Sequence, residues 1–163
     1  MEIVTKIDSK RLRQVAGAFP TGVTIITTEK EDGSVHGMTA SSFLSVSLDP
    51  ALVSFCVKDN AVIFPLLTIG KTVGISILAA NQKEISNQFA GFSKEEKSIP
   101  MSKVNAGATV IDQALAWYST IIQQIIPAGD HYLILCEIDD LDRVEDGQPL
   151  VYWSGYRTTS ENL

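Results

Sequence analysis

The fold is organised around one stretch of sequence, His36-Gly-Met-Thr-Ala-Ser-Ser-Phe-Leu-Ser-Val-Ser-Leu-Asp-Pro50. Its hydroxyl side chains alternate with apolar residues and stand at five positions, Thr39, Ser41, Ser42, Ser45 and Ser47. Because successive side chains of a strand point to opposite faces, such a segment can pack on a core and still present hydroxyl groups. Hydroxyls and free backbone N–H groups can together bind an anion. A plain edge strand with one solvated face has the same pattern, so the stretch alone leaves its function open.

Length and composition favour a compact protein. The 163 residues are enough for one domain, 1–163, with a core of its own. Hydrophobic residues make up 45% and charged residues 20%, which is typical of folded rather than disordered chains. The net charge of −6 and the absence of a basic block disfavour nucleic-acid binding. No apolar run reaches the roughly 20 residues of a membrane helix, and no signal sequence is recognisable.

The two cysteines indicate the redox environment. Cys56 and Cys136 each lie in an apolar run that is typical of a strand. This favours two buried, reduced thiols over a disulfide, which stays open as the alternative. Reduced thiols predict a cytoplasmic protein.

Turn residues and β-branched runs predict mostly strands. Asp32-Gly33 separates two such runs, which predicts an antiparallel hairpin. Further strands are predicted at 51–57, at 72–78, as two long runs within 114–141 joined near 127–130, and at 149–153. Short helices are predicted at 8–17, at 61–69 and at 81–89 with Asn81 as the cap, and 91–108 is predicted to be a long surface loop of the kind that is often functional.

This order of elements predicts the fold class. About six or seven strands follow one another with hairpin-like connections and without regular alternation with long helices, which disfavours a doubly wound sheet. An antiparallel barrel with short peripheral helices fits the pattern, because closure removes exposed strand edges.

Several common catalytic motifs are missing from the sequence. There is no G-x-G-x-x-G or P-loop, no H-E-x-x-H and no G-x-S-x-G. The two histidines form no zinc-binding motif, and no metal site is predicted. Uncharged polar residues with a few aromatic residues remain, a composition typical of a site for a large cofactor that supplies its own chemistry.

Seven short motifs then occur in a recognisable order: Phe19-Pro-Thr-Gly-Val-Thr24, Gly37-Met-Thr-Ala-Ser-Ser-Phe43, Ser45-Val-Ser-Leu-Asp-Pro50, Leu78-Ala-Ala-Asn-Gln82, Phe89-Ala90, Gly129-Asp-His131 and Pro149-Leu-Val-Tyr152. Together they resemble the flavin reductase family with the FMN-binding split-barrel fold, the reductase components of two-component monooxygenases. The resemblance covers residues 12–156, nearly the whole chain. It implies a mainly β fold, a six-stranded antiparallel Greek-key split β-barrel with short peripheral helices, assembled as a homodimer.

The resemblance also implies a flavin, FMN or FAD, bound near the dimer interface, with NADH or NADPH as the hydride donor. The implied flavin-binding residues are Thr39, Ser41 and Ser42 along the ring, ribityl chain or phosphate, Leu78, Ala79 and Gln82 as a second wall, Phe89 as a closing side chain, and Tyr156 stacking nearby. His131 matches the histidine of the family's Gly-Asp-His signature, which lies beside the nicotinamide, and is the implied catalytic residue. A turn histidine at a strand end is the alternative interpretation of His131.

The chain departs from the family pattern in three places. Where the family places Ser or Thr to hold the phosphate, this chain has Lys58-Asp-Asn-Ala61, so Lys58 or Asn60 would be the donor. Ser76-Ile-Leu78 replaces the common Asn before Val-Leu, and Tyr118-Ser-Thr120 replaces a common Glu-Cys. These changes leave flavin and substrate preference open.

The predicted function is therefore reduction of FMN or FAD by NADH or NADPH, with reduced flavin passing to a transient oxygenase partner. Two alternatives share the fold. One is a flavin-binding protein or carrier without turnover, and the other is an oxidase acting on a small amine or phosphorylated vitamin. The second is disfavoured because its phosphate site usually has several basic residues, whereas this turn offers only Lys58.

Overall fold

The computed structural model describes residues 6–158, which form two α-helices, one 3-10 helix and twelve strands. The helices are α1 (Ser9–Ala16), the 3-10 helix (Phe64–Leu66) and α2 (Lys83–Phe89). The strands are β1 (Thr21–Gly22), β2 (Thr24–Glu29), β3 (Val35–Ala40), β4 (Leu44–Leu48), β5 (Ala51–Lys58), β6 (Thr72–Ile77), β7 (Met101–Lys103), β8 (Thr109–Ile111), β9 (Ala116–Ala128), β10 (His131–Arg143), β11 (Leu150–Tyr152) and β12 (Tyr156–Thr158). Within residues 6–158, no helix combines the length and the apolar character that a membrane crossing requires.

The main sheet has seven strands in the order β3-β2-β6-β9-β10-β5-β4, all antiparallel. β3 and β4 are consecutive in the chain but lie at opposite ends of this order, so the sheet has to curve until its two ends approach each other. Ser42, in the link between them, closes the gap, because its hydroxyl accepts a hydrogen bond from the Cys56 N–H at 2.9 Å. The predicted mainly β class is confirmed, with seven strands in the main sheet instead of six.

Two small sheets lie outside the main one. One has the order β1-β11-β12, and the other is the β7-β8 hairpin. β7 falls within 91–108, and β8 begins directly after this segment, so the prediction of an irregular loop throughout 91–108 is wrong. The sequence also gave no sign of β12, which pairs with β11. Strands of three residues are too short to show a periodic pattern.

Two hydrophobic cores result from this arrangement. The inner core is enclosed by the curved main sheet and includes Ile26, Phe55, Ile75, Ile122 and Ile134, each at most 1% exposed. The outer core lies on the other side of β2 and is formed by buried Val23, Ile25, Leu78, Ile111, Ala114 and Leu150, with residues of α2 and β12 packed against it. β2 therefore has apolar contacts on both faces, which explains its uninterrupted run of β-branched residues.

The threonines of β2 satisfy their buried hydroxyl groups with backbone carbonyls. Thr24 donates to the carbonyl of Ala40 at 2.7 Å, and Thr28 donates to that of Thr72 at 3.2 Å. Thr27 donates to the carbonyl of Thr109 on β8. Because a buried hydroxyl without a partner is costly, these bonds are what make a threonine-rich strand tolerable in the centre of the structure.

The helices are shorter than the sequence predicted. The Asp8 side chain caps α1 by accepting from the Arg11 N–H at 2.9 Å, which agrees with the predicted start of this helix at residue 8. The predicted helix 61–69 is a single 3-10 turn that has Pro65 near its start, and α2 begins after Gln82 instead of Asn81.

Both cysteines are free. Cys136 is buried, and burial raises the pKa of its thiol to about 11, whereas Cys56 is half-buried. The predicted absence of a disulfide agrees with the structure, and the Cys136 thiol stays protonated at neutral pH.

At Gly74 on β6 the backbone of β8 lies close against the main sheet. A Cβ atom placed there would overlap the Thr109 carbonyl oxygen and would lie 2.5 Å from the Thr27 hydroxyl. The carbonyl belongs to the backbone of β8, so the contact cannot be relieved by turning a side chain.

We therefore expect Gly74→Ala to lower the free energy of unfolding by about 1–3 kcal/mol, because the extra methyl group overpacks a fixed contact. Urea denaturation measures the change. Gly22→Ala is the matched control, because a Cβ at Gly22 would meet nothing within 4 Å. Equal stability of the two variants would show that β8 is not held against β6 in this way.

Candidate functional site

A cavity of about 530 Å³ lies along the free edge of β3. We call it the edge cavity. β3 is the last strand of the main sheet, so one side of its backbone has no strand partner. The apolar walls include Met38, Ile63 and Phe89, and the polar side chains are His36, Gln88, Glu96 and Lys97. An apolar slot with free backbone groups and a lysine suits a flat aromatic ligand that carries negative charge.

Phe89 reaches the edge cavity because residue 37 is a glycine. A Cβ atom at Gly37 would lie 2.6 Å from Cε1 of the Phe89 ring. The glycine in the His36–Pro50 stretch therefore allows the end of α2 to pack directly on the β3 backbone. The structure thus places Phe89, a predicted flavin-binding residue, against the stretch that was predicted to carry the site.

Hydroxyl groups fix α2 to the strands on both sides. Thr39 donates to the Ser86 carbonyl at 2.7 Å, and the fully buried Ser86 hydroxyl is hydrogen-bonded to the Tyr156 hydroxyl at 2.8 Å. The Lys83 ammonium lies 5.8 Å from the centre of the Tyr156 ring. Thr39 and Tyr156, both predicted to contact flavin, thus use their hydroxyl groups to hold the helix that carries Phe89.

The residues of the predicted second wall, Leu78, Ala79 and Gln82, lie ahead of α2 and are mostly buried. Leu78 is fully buried in the outer core. Gln82 is 7% exposed, and its amide accepts from the Ala79 N–H at 3.0 Å and donates to the Asp112 carbonyl at 2.9 Å. Leu78 and Gln82 thus form a buried connection ahead of α2, whereas Ala79 is half-buried, and the contact of these residues with flavin stays a prediction.

Ser41 and Ser42 line a different cavity of about 540 Å³, together with Thr21 and Phe43. We call it the hydroxyl cavity. The Ser42 hydroxyl is already engaged with the backbone of Cys56, at 2.9 Å from its N–H and 3.4 Å from its carbonyl. The Ser41 side chain is exposed, and the buried Thr21 hydroxyl has no hydrogen-bond partner. The structure therefore places Ser41 and Ser42 at a different cavity from Phe89.

Lys58, Asn60 and His131 meet at the end of the β5–β10 pair. Lys58 stands opposite His131 in the strand register, and the Asp59 N–H donates to the Asp130 carbonyl at 3.2 Å. Asn60 is exposed in the turn that follows β5. The same turn continues to Ala61 and Val62, which line the edge cavity, so His131 is tied through the backbone to one wall of that cavity.

The carboxylate of Asp130 orients His131. Nδ1 of His131 lies 2.7 Å from the Asp130 carboxylate, and this hydrogen bond lowers the pKa of the carboxyl group. An ionised carboxylate only accepts, so Nδ1 carries the proton and Nε2 is left for another partner. The imidazole is 43% exposed, which leaves it accessible to a ligand.

Sequence reasoning missed the polar residues of the edge cavity, which are His36, Gln88, Glu96 and Lys97. His36 was given no role, although it lines the cavity, and burial lowers the pKa of its imidazole. Lys97 is held by the Gln88 side chain, which donates to its carbonyl at 2.7 Å and accepts from its N–H at 3.1 Å. No periodic pattern links Gln88 with a residue nine positions later. The only available signal was the length of the segment 91–108.

Comparison with known proteins agrees with this arrangement. Residues 16–160 match the family described as flavin reductase like domain. The chain is 32% identical over 155 residues to the NADH-dependent flavin reductase StyB of Pseudomonas fluorescens, an alignment that covers 94% of this chain and 91% of the relative.

Two solved structures have the same fold over nearly the whole chain. The flavin reductase PheA2 in its native state superposes with a TM-score of 0.88 at 37% identity, covering 93% of this chain and 98% of that one. The styrene monooxygenase flavin reductase from Pseudomonas putida S12 superposes with a TM-score of 0.83 at 31% identity, covering 93% and 99%. This chain therefore belongs to the family of proteins with the flavin reductase-like domain.

Proposed function

We propose that the protein is an NADH-dependent flavin reductase whose reduced flavin is consumed by a partner monooxygenase. The observation that carries the proposal is the edge cavity, which combines a free strand edge, an aromatic wall and a lysine next to the turn tied to His131. The relatives support it, since one is an NADH-dependent flavin reductase and another is the flavin reductase of a styrene monooxygenase.

The residues of the edge cavity fit a flavin. A volume of about 530 Å³ lies within the usual range of about 300–1,000 Å³ for ligand sites. Phe89 and Met38 supply flat and flexible apolar contacts for a ring system, and the free β3 backbone offers donors and acceptors for its polar edge. Lys97, with Lys58 and Asn60 of the neighbouring turn, would hold the phosphate in place of the family's Ser or Thr.

When bound, the flavin supplies the hydride acceptor, and the nicotinamide must approach it to within about 3–3.5 Å. The task of the protein is therefore alignment. We propose that His131 lies beside the nicotinamide, with Nε2 directed to the substrate because Asp130 occupies Nδ1. Ser41 of the hydroxyl cavity remains a proposed contact for the more distant part of the flavin.

Measuring NADH consumption tests the function. We expect the purified protein to oxidise NADH only when FMN or FAD is added, with saturable dependence on both. Comparing the two flavins, and NADH with NADPH, ranks the preferences that the sequence left open. Binding of flavin without oxidation of either nucleotide would contradict the reductase and identify a flavin carrier.

Two variants test separately the proposed contacts with NADH and with flavin. His131→Ala should raise KM for NADH about tenfold, because a hydrogen bond near the nicotinamide is lost, and should leave KM for flavin unchanged. Lys97→Gln should raise KM for flavin and leave KM for NADH unchanged, because a charge-assisted contact with the flavin phosphate is lost. The assignments are wrong if either variant changes both constants equally, or changes neither.

A third variant tests whether Gln82 stabilises the fold or contacts the flavin. Because its buried amide joins Ala79 to Asp112, Gln82→Ala should lower the free energy of unfolding by about 1–3 kcal/mol and leave KM for flavin unchanged. Gln14→Ala, at an exposed position of α1, is the control. An increase in KM for flavin at unchanged stability would identify Gln82 as a ligand contact instead.

We further propose that two copies of the chain associate through β4. β4 is the other terminal strand of the main sheet, and Leu44, Val46 and Leu48 are 60%, 46% and 93% exposed. An exposed apolar edge strand is a site for pairing, and a twofold axis would let the same surface cover itself. The free edge would then be buried in each copy.

Light scattering on the eluting protein tests the association. We expect twice the mass of one chain for the native protein and the mass of one chain for Leu48→Lys, because a buried unpaired charge opposes the contact. Leu12→Lys, on exposed α1, should leave the mass unchanged. A native protein with the mass of a single chain would exclude this interface.

A further inference from the structure

A third cavity, of about 340 Å³, is lined by several lysines although the protein as a whole is acidic. It lies between the end of β2, the start of β6 and the β7–β8 hairpin, and Lys30, Lys71 and Lys103 line it. We call it the lysine cleft. The whole chain has 13 Lys and Arg against 19 Asp and Glu, so three lysines at one cleft run against the overall balance.

One of the three lysines is neutralised. Lys103 lies 2.8 Å from the carboxylate of Glu29, the only acidic residue among those that line the cleft. The ammonium groups of Lys103 and Lys71 lower the pKa of Glu29, which keeps that carboxylate ionised. Within residues 6–158, neither Lys30 nor Lys71 forms an ion pair. Two positive charges are therefore left to attract an anion.

The backbone around the cleft is fixed by contacts between separate elements. β8 is held against β2 and β6 by the hydrogen bond from Thr27 to the Thr109 carbonyl and by the close approach at Gly74. The Gly70 N–H donates to the Ile122 carbonyl at 2.8 Å, which fixes the start of β6 on β9. The lysine stems thus emerge from a rigid frame, so a ligand does not have to order the backbone on binding.

We propose that the lysine cleft binds a diphosphate group, either as free pyrophosphate or as part of a nucleotide. Two unpaired ammonium groups match two adjacent phosphates, and lysine recognises phosphate as a point charge. The cleft shares no lining residue with the edge cavity, so this is a second anion site that is independent of the proposed flavin site. Anion binding at the lysine cleft does not depend on whether the protein is a flavin reductase.

Calorimetric titration with pyrophosphate tests the proposal. The double substitution Lys30→Gln with Lys71→Gln should weaken binding about tenfold or more, because two charges next to the anion are removed. The matched control is Lys10→Gln with Lys94→Gln, which removes the same charge from exposed positions outside the cleft and should change affinity by less than about twofold at moderate salt. Absence of pyrophosphate binding to the native protein, or equal weakening in both double variants, overturns the proposal.

Two further measurements locate the site and its ligand. Pyrophosphate should shift the amide NMR signals of Gly70 and Gly107, which line the cleft, and Lys97→Gln in the edge cavity should not alter the affinity. Loss of binding in Lys97→Gln alone would place the anion in the edge cavity and refute the lysine cleft. Titration with ADP shows whether the diphosphate group belongs to a nucleotide or is free pyrophosphate. If ADP binds and the cleft substitutions weaken its binding, the ligand is a nucleotide. If pyrophosphate binds and ADP does not, the ligand is the free anion.

Discussion

The burial of β2 on both faces is the constraint on which the rest of the structure depends. Ile26 on one face belongs to the inner core, and Ile25 on the other belongs to the outer core. A strand covered on both sides loses water from all of its polar groups, so its threonine hydroxyls have to find carbonyl partners. Those partners lie on β3, β6 and β8, and the hydrogen bonds therefore fix the three elements around β2.

The edge cavity follows from this constraint. With β2 on one side, β3 keeps one free edge, and a free edge next to a hydrophobic core usually needs a cover. Here α2 supplies part of the cover, since Phe89 packs on Gly37 and Ser86 accepts from Thr39. The remaining opening has free backbone N–H and C=O groups of β3 on one side and apolar side chains on the others. This combination favours binding of a flat ring with polar groups on one side.

The local features of the fold could be predicted from the sequence, and the connections over long range could not. Asp8 predicted the start of α1, and the β-branched runs predicted the strands of the main sheet, because each signal lies within a few residues. β12 and the β7–β8 hairpin were missed, since three-residue strands show no periodicity. The resemblance selected the residues near α2, but no local pattern of the sequence indicates that the Gln82 amide joins Ala79 to Asp112.

The hydroxyl-rich stretch shows why residue type alone did not assign the site. Its pattern suggested hydroxyls that cradle an anion, yet Thr39 bonds to the Ser86 carbonyl and Ser42 to the backbone of Cys56. Ser42 continues the register of the β4–β5 pair, where Leu44 stands opposite Ser54, so its side chain replaces a backbone contact beyond the end of β4. Ser42 therefore closes the curved sheet and Thr39 holds α2, and the proposed recognition of negative charge at the edge cavity depends on Lys97 and the turn that follows β5. A protein with a net charge of −6 repels anions in general, so such local lysines decide where an anionic ligand can bind.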